Sequence, residues 1–171
     1  MILDAIQNRT SMRKYKDTPV TEEQITALLT AAMLAPSAKN MRPWEFIVLT
    51  DREKLNKLAE RHPFGKMLET APMAIIVLAL ENEQAIQAGA DGFYPQDCGA
   101  ATQNILLQAQ HMGLGTCWCG VYPKPQVTAD VREILGLTDE TKIPFNVIAV
   151  GTPDKEPRIR GFYEETKVIR M

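Results

Sequence analysis

The sequence predicts one domain in which helices and strands alternate, and three observations predict it. The chain has 171 residues, long enough to bury a real core. Segments with helical spacing are interleaved with short apolar runs of strand length. No repeat, low-complexity tract or linker divides the chain, so residues 1–171 are read as a single domain.

The elements follow in order. Ile2, Leu3 and Ile6 form an apolar helical start. Thr21 with Gln24 is a capping-box pattern, and Ile25, Leu28, Leu29 and Ala32 fall at helical spacing, which predicts a helix over 21–34. Pro36 stops that helix and opens a loop through Pro43. Residues 45–50 read as a strand, and Asp51 caps a polar helix that runs to about Arg61. The continuous apolar run 73–80, bounded by Pro72 and Glu81, predicts a buried strand. Residues 81–94 are polar and small and favour no element.

A long helix is predicted over 95–112, with Gly113 as its stop. The run Ala100, Ala101, Asn104, Leu107, Gln108 and His111 gives it small and polar faces that suit either a subunit interface or the centre of the core. A strand over 116–121, a helix over 127–135 capped by Gly136, and a strand over 145–150 complete the body. Residues 152–171 are a polar tail with few apolar anchors: Phe162, Tyr163, Val168 and Ile169. Such a tail either frays or docks as an arm on a partner subunit.

Composition excludes several classes. Hydrophobic residues make up 45% of the chain and charged residues 23%, and the net charge is −2. That balance argues against a nucleic-acid coat or a membrane-surface protein, whose affinity needs a large positive field. No apolar run approaches a membrane span. Cys98, Cys117 and Cys119 form no disulfide framework, and the cytoplasm is the natural compartment.

The candidate chemistry begins at Arg9-Thr10-Ser11-Met12-Arg13. Two guanidinium forks and a hydroxyl, each two residues apart, suit a doubly charged phosphate. The competing reading is a solvated set of cations favoured by the end of the preceding helix. Other motifs fail. Gly113-Leu114-Gly115 follows a helix and precedes a strand, the wrong order for a dinucleotide-binding turn. There is no P-loop and no Ser/His/Asp arrangement. His62 and His111 lack partners at ligand spacing, so no metal site is expected. Cys117-x-Cys119 could suggest redox or metal chemistry, but the two should share one strand face as small buried hydrophobes, because nothing nearby is expected to supply thiolate-stabilising charge.

Several separated segments together resemble the FMN-dependent nitroreductase family. They are Arg9-Thr10-Ser11-Met12-Arg13, Ala35-Pro36-Ser37-Ala38-Lys39-Asn40 with Pro43-Trp44-Glu45-Phe46, Gly99 to Leu107, Gly113 to Trp118, and the pair Arg158 and Arg160. Their order spans nearly the whole chain, and the short length is similar to the compact branch of the family. The resemblance implies an α+β fold with a central, mostly antiparallel sheet flanked by helices. It also implies an intertwined homodimer, with two FMN molecules at the interface and residues 152–171 as an exchanged C-terminal arm.

The resemblance further implies a cofactor-binding set. Arg9, Thr10, Ser11 and Arg13 would contact phosphate and flavin, with Arg158 and Arg160 from the tail. Pro36, Ser37, Ala38 and Asn40 would reach the ring from the other subunit. Cys119 and Gly120 would bring a backbone N–H towards flavin N5, and Gln103 would lie in the cofactor region. No side chain is expected to be a catalytic acid or base, since flavin N5 performs the chemistry. The implied activity takes a hydride from NADH or NADPH and passes two electrons, by ping-pong kinetics, to a small-molecule acceptor such as a nitroaromatic or quinone. Alternatives are a non-enzymatic flavin-binding dimer, a specialised flavin dehydrogenase or dehalogenase, and a plain dimeric scaffold. Arg42 departs from the family pattern, in which Gln often precedes Pro-Trp. It is expected beside the flavin, beside the substrate or in solvent.

Overall fold

The computed structural model describes residues 1–81, 83–156, 158 and 161–171. Ten elements follow in order: α1 (Asp4–Asn8), α2 (Glu22–Met33), β1 (Trp44–Leu49), α3 (Arg52–Arg61), β2 (Met73–Leu80), α4 (Glu83–Gln87), α5 (Tyr94–His111), β3 (Gly115–Gly120), α6 (Pro125–Leu135) and β4 (Lys142–Gly151). The strands form one antiparallel sheet in the order β1-β2-β4-β3, so the fold is α+β with helices on both faces.

Local chemistry sets the boundaries. Thr21 accepts from the Gln24 N–H and Gln24 Oε1 accepts from the Thr21 N–H, which closes the expected capping box. The Asp51 carboxylate accepts from the Lys54 N–H and starts α3. Gly136 takes the left-handed conformation that ends α6. β4 begins at Lys142, earlier than expected. Its first residues resemble a loop in sequence because Pro144 lies beside a register shift, where a missing N–H is tolerated. Residues 83–87, which favoured no element in sequence, form the short helix α4.

β2 explains why its sequence is apolar without alternation. Ala74, Ile76 and Leu78 face a core shared with Leu55 and Leu58 of α3 and Val131 of α6. Met73, Ile75 and Val77 face a second core shared with Leu28 of α2 and Ile105 of α5. A strand covered on both faces has no solvent side to keep polar. α5 therefore takes the core role through Cys98, Ala101, Ile105 and Ala109. Its opposite face is not idle. Asn104, Leu107, Gln108 and His111 line a groove of about 530 Å³ with Leu3 before α1, Ile6 of α1 and Leu34 after α2.

The N-terminal segment returns to the sheet after α1. Ser11 bridges Thr116 in parallel and the Met12 N–H donates to the Thr116 carbonyl at 2.8 Å, so residues 11–12 run along the outer edge of β3. The Tyr15 hydroxyl, buried under the sheet, donates to the Met12 carbonyl at 2.7 Å and holds this segment down. Tyr15 also pairs with Pro153, while the Lys16 N–H donates to the Thr152 carbonyl and the Asp154 N–H to the Lys14 carbonyl. Gly151 makes that crossing possible. A Cβ there would lie 2.5 Å from Pro72 Cδ and 3.1 Å from Tyr15 Cδ1. Gly151→Ala should therefore cost about 1–3 kcal/mol of stability by overpacking. A urea titration should show a lower midpoint with an unchanged slope.

Candidate active site at the open edge of strand β3

The site is built on the strand edge that the rest of the sheet leaves unpaired. In an antiparallel ladder, successive residues direct their N–H and C=O groups to alternate sides. The Thr116 carbonyl meets the Met12 N–H on the outer side, and the Gly120 carbonyl meets His62 on that same side. The N–H of Gly120 therefore also opens outward. A Cβ at Gly120 would meet nothing within 4 Å, so the backbone there is open to close approach by a ligand.

A cleft of about 350 Å³ lies along this edge. Arg13, Phe64, Lys66, Trp118, Cys119 and Gly120 are among its lining residues. Trp118 is 38% exposed and Phe64 67%, which is unusual for side chains of this size and leaves aromatic faces available. Arg9, Arg13 and Lys66 form no ion pair among the described residues. Several positive charges at an aromatic cleft without carboxylate partners favour an anionic, flat ligand.

The predicted site residues separate into groups. Ser11 and Arg13 come to the same edge as Cys119 and Gly120. Arg9 and Thr10 are half-buried just ahead of them, Arg9 at the end of α1. Gln103 is exposed on α5, one turn beyond Gly99, whose Cβ position lies 3.9 Å from Trp118. That spacing puts Gln103 on the helix face beside Trp118. The loop of Pro36, Ser37, Ala38 and Asn40 does not line the cleft of its own protomer. Arg158 is exposed and free of ion pairs among the described residues, whereas Arg160 lies outside the described residues.

The 36–42 loop is nonetheless built with strain. Lys39, Asn40 and Arg42 have φ of 53°, 57° and 51°, which costs side-chain-bearing residues energy and is concentrated at functional loops. Ser37 Oγ accepts from the Arg42 N–H at 2.8 Å, and Asp97 Oδ1 accepts from the Ala38 N–H at 3.0 Å. Asp97 is only 7% exposed, its Oδ2 is buried without a partner among the described residues, and burial raises its pKa. The sequence reading missed this anchor. Its one signal was an acidic residue in an otherwise small and apolar helix start. The guanidinium of Arg42 donates to the Met33 carbonyl at 3.1 Å, so it covers the end of α2.

Cys117 and Cys119 face the α3/α6 core together, as expected. The expectation that no charge reaches them is corrected: Arg13 and Ser11, distant in sequence, lie beside Cys117. The Cys119 thiol, with those two neighbours, lowers the Cys117 pKa, while the Cys117 thiol and burial raise that of Cys119.

His62 is a further residue the sequence reading did not place in the site. Burial lowers its pKa, and the nearby Lys124 charge acts in the same direction. An unfolded imidazole gains a proton near pH 6.5, whereas the folded one resists it. The unfolded chain then holds more protons, so His62 should cost stability as pH falls below about 6.5, levelling off once the folded ring is protonated. Urea midpoints at pH 7.5 and pH 5 should fall further for the wild type than for His62→Gln, which cannot titrate.

Comparison with known proteins places these features in context. The model of the nitroreductase family matches residues 6–62 and 59–152. A Methanothermobacter thermautotrophicus protein, provisionally named NADH dehydrogenase/NAD(P)H nitroreductase, is 43% identical over 98% of this chain and 85% of its own. A crystal structure from Parabacteroides distasonis with the same provisional name is 41% identical. It superposes with a TM-score of 0.89 over 98% of this chain and 95% of that one. An FMN-dependent nitroreductase from Clostridium difficile is 32% identical, with a TM-score of 0.86 over 97% of this chain and 96% of its own.

Proposed function

Since this chain belongs to the nitroreductase family, we propose that it is an FMN-dependent oxidoreductase that uses NADH or NADPH and works as a homodimer. The observation that carries this reading is the open edge of β3. There Arg13, which has no ion-pair partner among the described residues, and Ser11 lie along the edge that presents an outward Gly120 N–H beside an exposed Trp118. The residues fit FMN: a phosphate needs cations and a hydroxyl, and a flat ring needs an apolar wall with a backbone donor.

Arg9, Ser11 and Arg13 would hold the phosphate, with Arg158 and Arg160 approaching from the tail. Thr10 lies between the first two and would fix the backbone. Gly120 would offer its N–H to the ring, a neutral donor that stabilises negative charge without gaining or losing a proton. Gln103 would line the ring region. FMN, when bound, supplies the two-electron chemistry. The chain needs no side chain as a committed acid or base for that task. Donor and acceptor would use the same open face in turn, which gives ping-pong kinetics, and the acceptor would be a nitroaromatic, a quinone or a similar small molecule.

The homodimer gives the remaining features a use. Ile2, Leu3, Ile6 and Leu34 are exposed around the α1/α2/α5 groove, an apolar area of the kind that marks an interface. The strained loop of Pro36, Ser37, Ala38 and Asn40 would face the partner's cleft.

The visible spectrum of the purified protein, with and without added FMN, tests the cofactor. A colourless protein that binds no added FMN would sink the reading. Anaerobic addition of NADH and NADPH to the yellow protein tests the enzyme. Prompt bleaching is expected, and persistent colour with both donors would leave only a flavin-binding dimer.

A further inference from the structure

His62 is 4% exposed and uses both ring nitrogens. Its Nδ1 accepts from the Phe64 N–H at 3.1 Å, so that nitrogen carries no proton. Nε2 is then the N–H, and it donates to the Gly120 carbonyl at 3.0 Å. One neutral imidazole thus joins the turn after α3 to the end of β3.

That turn forms one wall of the cleft that Arg13 also lines. Its tip carries Phe64 and Lys66, both exposed and both lining the cleft. The turn is internally closed, because the Gly65 N–H donates to the His62 carbonyl and the Leu68 N–H to the Gly65 carbonyl. A Cβ on Gly65 would lie 2.7 Å from the Leu58 carbonyl oxygen and 2.9 Å from His62 Cβ, so the turn is wound tightly on the histidine. Arg52 holds its far end by donating to the Leu68, Glu69 and Ala71 carbonyls. Among the described residues, the turn is tied across to β3 by His62 to Gly120 and by the Cys119 thiol, which lies 3.4 Å from both the Phe64 carbonyl and the Met67 sulfur. A thiol is a weak donor, so the imidazole is the stronger tie. Losing it would leave the turn folded and seated by the buried Met67 and Leu68, with its exposed tip, Phe64 and Lys66, free to shift in the cleft.

We propose that His62 is a positioning residue for the electron acceptor, clasping the turn that carries Phe64 and Lys66 to the backbone of Gly120. The acceptor class that fits this wall is a flat aromatic bearing negatively polarised oxygens. Phe64 offers a ring face and Lys66 an ammonium with no ion-pair partner among the described residues. The inference rests on the flavin reading of the same cleft.

Two half-conservative variants separate the two bonds. His62→Asn keeps an acceptor where Nδ1 stands and loses the reach to Gly120. His62→Gln can still reach Gly120 with its amide N–H. In the holoenzyme, with 4-nitrobenzoate as acceptor, His62→Asn should raise KM about tenfold, the scale of one lost hydrogen bond, with little change in kcat. His62→Gln should stay within about threefold of the wild type, and FMN titration should be alike in all three proteins. In flavin-free protein, the nitrogen chemical shifts of the wild-type ring should report a protonated Nε2 and a bare Nδ1. A wild-type KM in His62→Asn, an equal defect in His62→Gln, a loss of FMN that parallels the rise in KM, or the opposite tautomer would each overturn the clasp. A wild-type protein that binds no FMN would instead overturn the parent reading, and the acceptor role with it.

Discussion

Removing residues 156–171 is expected to weaken dimerisation and FMN retention together. The cut leaves the body intact, because the pairing of Lys14–Lys16 with residues 152–154 is retained. The described residues that are lost have almost no support within their own protomer. Phe162 is 83% exposed and Ile169 82%, and the described tail is ordered locally by one turn at Glu165–Lys167 and a Lys167–Glu164 ion pair. A segment with these anchors gains stability only by burying them on something else. Burial of a Phe or Ile side chain contributes about 1.5–3 kcal/mol. Docking of Phe162, Tyr163 and Ile169 on the partner, after ordering costs, therefore predicts at least roughly a hundredfold rise in the dimer dissociation constant. FMN affinity should fall in step, since Arg158 and Arg160 leave with the arm and the cofactor stabilises the state that binds it. Sedimentation equilibrium and flavin titration of the shortened chain measure both. A tight dimer with wild-type FMN affinity would show that the tail only frays, and would confine the phosphate site to the residues near Arg9.

The elements most legible in the sequence were those decided by near neighbours. The Thr21/Gln24 box and the Gly136 stop depend on residues within one helical turn, and the structure reproduces them. The apolar run of β2 is legible because a strand buried on both faces advertises itself in composition. Pro144 hid the start of β4 because the register shift that accommodates it is a property of the pairing with β2. The candidate site divides along the same line. Arg9, Ser11 and Arg13 stand out because their spacing alone suggests an anion. The roles of His62 and Asp97 depend on partners 58 and 59 residues away, Gly120 and Ala38. Nothing in the local sequence marks the His62 contact, and only the acidic residue at the start of α5 hints at that of Asp97. The charge beside Cys117 was missed for the same reason, since the fold alone brings Arg13 to it.

Arg9→Ala should lower FMN affinity by about 1.5–3 kcal/mol, or roughly 10- to 150-fold, the scale of a lost charge-assisted hydrogen bond. Arg9 is half-buried at the end of α1 and pairs with no carboxylate among the described residues. Its removal breaks no ion pair there, so the urea midpoint of the flavin-free protein should hardly move. The defect should shrink as salt rises, because part of it is Coulombic attraction to a dianion. Arg13→Ala should behave similarly, with a further effect on the cleft that Arg13 lines. The double variant should lose less than the sum of the two, since both cations hold one phosphate and the first loss already lets it shift away from the second. Fluorescence titration with FMN at two salt concentrations measures all of this. Wild-type affinity in Arg9→Ala at moderate salt would remove Arg9 from the phosphate site, and strict additivity would mean that the two arginines contact different parts of the ligand.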